Sequence, residues 1–138
     1  NIDYFYKKPR MPKSEIMKHR EGLIIGSACE AGELYRAILE ERPEQEIMEI
    51  ASFYDYLEIQ PVGNNRFMID AHSDPSAKNP DKNKEFDKIT CIEDIENINR
   101  KVIAIADKLG KPVVATCDVH FIDPERYSYG VSGLYRRR

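Results

Sequence analysis

Two residues apart, Asp118 and His120 close a short apolar run, Lys111-Pro112-Val113-Val114-Ala115-Thr116-Cys117-Asp118-Val119-His120. Side chains of extended chain repeat every two residues, so this carboxylate and imidazole point the same way. Such a pair suits a borderline divalent metal. A thiol joins them if a second apolar run, Leu23-Ile24-Ile25-Gly26-Ser27-Ala28, lies parallel to the first, because that run ends at Cys29. Cys29, Asp118 and His120 are therefore the candidate metal ligands. Three donors of mixed type favour a site with open positions, where water or phosphate can also bind.

Each of these residues has a plainer reading. Cys29 can be a small buried hydrophobe and His120 a hydrogen-bonded turn residue, and spacing alone favours this, because D-x-H is a common triplet. Glu58, on a third run, could reach the same edge or simply sit on an exposed strand face. Cys117 and His120 could form a nucleophile pair, but their odd spacing sends the side chains to opposite faces. Lys111 and Arg66 are too isolated to form a phosphate clamp. His72 lies in a polar loop, where solvation is its ordinary state.

The elements that would position these residues alternate between strand and helix. Val113 to Thr116 are small or β-branched, and Pro112 stands where a strand tolerates proline, so this run reads as a strand buried on both faces. Tyr54 to Gln60 alternates, with Tyr54, Tyr56, Glu58 and Gln60 on one side and Leu57 and Ile59 on the other. Helices are expected over 14–20 (Ile16 and Met17 inward), 30–40 (Leu34, Ala37 and Ile38 inward) and 44–52. The strongest period runs through Ile92, Ile95, Ile98, Val102, Ile105/Ala106 and Leu109. Thr90 and Glu93 have capping-box spacing before it, and Gly110 stands as its C-cap. Residues 1–12, with Pro9 and Pro12, read as an extended arm. Residues 66–70 read as a short extended piece, 65–90 as a mobile loop and 126–138 as a frayed tail. Strands alternating with helices imply a parallel sheet with right-handed crossovers. A full barrel needs about 250 residues, so three strands make either a small open sheet or part of a barrel.

A chain of 138 residues amounts to about one domain. With 33% charged and 41% hydrophobic residues it has a globular composition. A net charge of −3 gives no global attraction for nucleic acid. No apolar run approaches a membrane span, and the N-terminus does not read as a signal peptide. Three cysteines, an odd and scattered set, fit a reducing cytosol.

Four stretches in order carry a family resemblance: Tyr6 to Ser14 (YKKPRMPKS), Glu21 to Leu34 (EGLIIGSACEAGEL), Phe53 to Pro61 (FYDYLEIQP) and Pro112 to His120 (PVVATCDVH). Together they resemble the PolC-type DNA polymerase III alpha subunit, the replicative polymerase of low-GC Gram-positive bacteria. The matching part is the later portion of its polymerase-and-histidinol-phosphatase (PHP) domain, downstream of the inserted proofreading exonuclease. The resemblance implies an α/β fold, a distorted (β/α) barrel of the PHP type that is incomplete in this chain, with a metal cluster at the C-terminal rim. Its later ligands correspond to Cys29, Asp118 and His120. The metal implied is Mn, Zn or Mg, in a partial site only. Position 117 is usually small in the family, so Cys117 is a departure. The early H-x-H pair and its further histidines and acid are absent, since His19 and His72 match none of them. Affinity follows ligand count and preset geometry, so this fragment should bind metal weakly and be inactive alone. The parent would synthesise DNA in the cytoplasm, with this piece as a metal-supported scaffold. Its partners would be the remaining polymerase and exonuclease modules, with DNA reached through the parent. The other implied activity is metal-dependent phosphoester hydrolysis, as phosphatase or 3′–5′ exonuclease, needing the missing half. Unpaired strand edges predict self-association.

Overall fold

The computed structural model describes residues 5, 6, 8–70 and 86–117. Phe5–Tyr6 (β1) and Lys8–Pro9 (β2) pair antiparallel, so the described part of the expected arm is a minimal hairpin. Pro12, at φ −63°, precedes helix α1, Lys13–Lys18. Met17 is 54% exposed, which corrects the expectation that it faces inward; Ile16 is half-buried. Helix α2, Glu33–Leu39, starts three residues later than expected, because the chain turns at 29–32, where Gly32 N–H donates to the Cys29 carbonyl over 2.8 Å. Helix α3, Glu44–Ser52, has its expected bounds and follows Pro43.

Strand β3, Leu57–Ile59, pairs in parallel with β4, Val113–Ala115, in the register Leu57–Val113, Glu58–Val114 and Ile59–Ala115. On the other side of β3, Gly26 makes one parallel bridge to Tyr56. Three ribbons thus run side by side in one direction, with β3 in the middle. Asp55 aligns their starts: Ile25 N–H donates to its carboxylate over 2.6 Å, and Arg20 donates over 2.7 Å. The described residues form a mixed α/β unit with a small open parallel sheet and no closed barrel.

The start of the loop expected at 65–90, and the extended piece expected at 66–70, are corrected. Residues Val62–Asn65 form a 3-10 turn, and Phe67–Asp70 is helix α4 rather than an extended piece. Both are held by core contacts: Asn65 and Met68 are buried, as is Ile89. Residues 71–85, including His72, lie outside the described set.

The longest helix, α5, spans Ile92–Leu109 and ends at Gly110, whose φ of +64° is the left-handed cap conformation that glycine supplies without strain. Its start differs by one residue from the expected capping box. Cys91 is the N-cap, and Asp94 accepts from the N–H groups of Thr90 (2.8 Å) and Cys91 (3.1 Å). Ile95, Ile98, Val102 and Ala106 are buried, whereas Ile92, before the stripe turns inward, is 49% exposed.

The core lies between this stripe, Leu34 and Ile38 of α2, and Leu57 of β3. Each such side chain contributes about 1.5–3 kcal/mol by leaving water. Ile25, Ile59 and Val113 pack beside Leu57 on the helix-covered face of the sheet. Alternation sends Ile24, Tyr56, Glu58 and Val114 to the other face. That face is open: Ile24 is 81% exposed and Val114 40%. The β4 run is therefore not buried on both faces: Val113 is half-buried against the core, and Val114 and Ala115 are exposed.

Candidate functional site

Parallel pairing puts the carboxyl ends of the three ribbons at one rim. The first ribbon leaves the sheet at Ala28, which has φ +62°, a left-handed conformation costing a non-glycine residue about 1–2 kcal/mol. Cys29 follows at the start of the turn into α2 and is half-buried. Burial pushes its thiol up from the ordinary value, opposed in part by the Ala31 backbone, so a metal would have to displace a proton from it. The last ribbon reaches the same rim at Thr116 and Cys117. Asp118 and His120 lie outside the described residues.

Glu58 bridges the ends. Its N–H donates to Ser27 Oγ over 2.9 Å. Oε1 accepts the Ala28 N–H over 3.1 Å, and Oε2 accepts the Thr116 hydroxyl over 3.1 Å. One carboxylate therefore takes a donor from each outer ribbon. It can lie across the sheet because residue 26 is glycine: a Cβ there would overlap the Tyr56 ring and come within 2.6 Å of Glu58 Oε1. Sequence reasoning placed Glu58 on a strand but could not give it this role, which depends on the register of two non-sequential pairings.

The other candidates fall elsewhere. Lys111 Nζ donates to the carbonyls of Ser52, over 2.8 Å, and Tyr54, closing the end of α3 rather than holding a phosphate. His19 caps the end of α1, one residue before Arg20, which pairs with Asp55 at the opposite end of the sheet from Cys29. Cys117 is exposed, and its proposed partner His120 lies outside the described residues. Among the described residues no group of three His, Cys, Asp or Glu could hold a metal ion. Of the expected donors, only Cys29 lies among the described residues, half-buried on the rim that β4 also reaches. No helix among the described residues is long and apolar enough to cross a membrane.

No family model matches the chain. Over 90% of its length it is 51% identical to part of a protein named DNA polymerase III PolC-type from Clostridium perfringens, covering 8% of that protein. It is 47% identical over 84% of its length to the protein of the same name from Caldanaerobacter subterraneus, covering 7% of it. With that of Thermotoga maritima the identity is 44% over 90% of the chain, and 8% of the relative is covered. The chain thus spans less than a tenth of the length of the curated relatives it matches.

Proposed function

The chain is homologous to one segment of PolC-type DNA polymerase III, and on that premise we propose that it is a piece of the PHP domain of a replicative alpha subunit, acting there mainly as a scaffold. The observation that carries the reading is 51% identity sustained over 90% of the chain. DNA-templated synthesis then belongs to the longer protein of which this chain would be a part. The open sheet face supports membership of a barrel. Parallel sheets are ordinarily covered on both faces, and in a barrel the inner face is filled by side chains from the other strands. Ile24, Tyr56 and Val114 would be part of that inner layer.

At the rim, Cys29, Asp118 and His120 would hold Mn, Zn or Mg with ligands from the rest of the barrel. Such an ion, when bound, supplies structural cross-linking and can activate water toward a phosphoester. The residues of this chain contribute placement: the turn at Ala28 presents the thiol, and β4 delivers the chain toward Asp118. The test uses the full-length protein, with bound metal and phosphatase and 3′–5′ exonuclease turnover measured for wild type and Asp118→Ala. The scaffold reading expects bound metal that falls in the variant and no turnover that depends on Asp118. Turnover abolished by Asp118→Ala would establish the phosphoesterase reading instead.

A further inference from the structure

We propose that Glu58 is the positioning residue of this rim, holding the turn that carries Cys29 at a fixed spacing from the end of β4. The inference rests on the reading of the rim as a metal site.

A carboxylate on the open face of a sheet would ordinarily extend into solvent. Here it lies across the ribbons, with one oxygen on the Ala28 N–H and the other on the Thr116 hydroxyl, each at 3.1 Å. Charge-assisted bonds of this kind are roughly twice as strong as neutral ones. The Ala28 bond matters most. Ala28 is one of only two non-glycine residues with positive φ among those described, and it immediately precedes Cys29. Left-handed alanine persists only where its surroundings over-determine it. The Glu58 bond to its N–H, with Ser27 Oγ held by the Glu58 N–H, provides that determination. Without the carboxylate, Ala28 can relax toward extended backbone, and Cys29 swings with it. The bond from the Thr116 hydroxyl ties the same carboxylate to the end of β4. Gly26 completes the device by leaving the space in which the carboxylate lies.

The probe is Co²⁺ bound to the full-length protein, read by the thiolate-to-cobalt absorption that Cys29→Ser removes and by the affinity it reports. Glu58→Gln keeps the size and the Thr116 acceptor, but can offer only one acceptor oxygen to two donors. It should weaken this Co²⁺ site about 10-fold or more, in the range seen for outer-shell partners of metal ligands, and alter the shape of the band in the fraction that binds. Thr116→Val, which removes only the bond at the end of β4, should weaken it less, and the double variant, which loses both bonds, more than either alone. Thermal unfolding separates lost placement from lost folding; if Glu58→Gln does not fold, Thr116→Val carries the comparison. Unchanged affinity and band in folded Glu58→Gln, with Cys29→Ser removing the band, would overturn the positioning role and leave the metal reading intact. A cobalt spectrum indifferent to Cys29→Ser would overturn both.

Discussion

Gly26 and Glu58 are coupled by space rather than by a bond. A Cβ added at Gly26 would overlap the Tyr56 ring and come within 2.6 Å of Glu58 Oε1. Gly26→Ala must therefore push both side chains aside, and overpacking of this kind costs about 1–3 kcal/mol. The expected outcome is a lower midpoint in denaturant titration together with loss of the Glu58 bridge, so that the variant also reproduces the rim defect of Glu58→Gln. A midpoint unchanged from wild type would mean that the carboxylate and ring swing out freely. At this scale the sequence placed Cys29 at the end of a ribbon but not the bonds around it. Cys29 was legible because it closes an apolar run, and the described ribbons do lie parallel. The role of Glu58 was not legible, because a carboxylate in an alternating strand looks the same whether it meets water or two neighbouring ribbons. The left-handed turn at Ala28 was hidden for a related reason: alanine carries no signal for positive φ, and only the contacts around it impose one.

Helix α5 shows what periodicity delivers and where it stops. Its length and its glycine cap were readable, because six apolar positions stepped by three or four ahead of Gly110. The pattern could not tell Ile92 from Ile95, since both lie on the stripe and only the position of the sheet decides which is covered. Ile95 is fully buried, so Ile95→Ala should cost about 2–5 kcal/mol. Ile92→Ala, at a half-exposed position, should change stability by no more than about 0.5 kcal/mol. Chemical denaturation of the two variants side by side checks the contrast; equal losses would place the start of α5 in the core. The cap adds a pH dependence. The Thr90 N–H first, and then the Cys91 N–H, hold the Asp94 carboxyl below its ordinary value. A depressed carboxylate contributes stability that is present above its unfolded pKa, about 3.9, and is lost as pH falls through the lower folded value. Denaturation midpoints followed from neutral pH into acid should fall less steeply in Asp94→Asn than in wild type. Superimposable slopes would show that the cap does not contribute to acid unfolding. Capping-box spacing had pointed to Thr90 and Glu93; the shift by one residue reflects a thiol taking the position that a hydroxyl usually fills.

For the molecule as a whole, the one-sided sheet makes a prediction whose sign depends on what surrounds it. Ile24, on the edge ribbon, is 81% exposed, and Val114 beside β3 is 40% exposed. Open edges and apolar faces of this kind invite pairing with another chain. In the 138-residue chain on its own, Ile24→Lys should therefore reduce self-association, read as a lower sedimentation coefficient or a smaller hydrodynamic radius at the same concentration. In the full-length protein the barrel reading covers the same face, and a lysine placed there would be buried without a partner. A buried unpaired charge is strongly unfavourable, so the same substitution should lower the unfolding temperature of the longer protein while leaving the isolated chain no less stable. This reversal separates a barrel wall from an independent open sheet, which would expose Ile24 in both settings and show no penalty in either. The sequence alone could not decide between these, because three strands and their crossovers read identically in the two architectures. What distinguishes them physically is whether the second face of the sheet is covered in the longer protein.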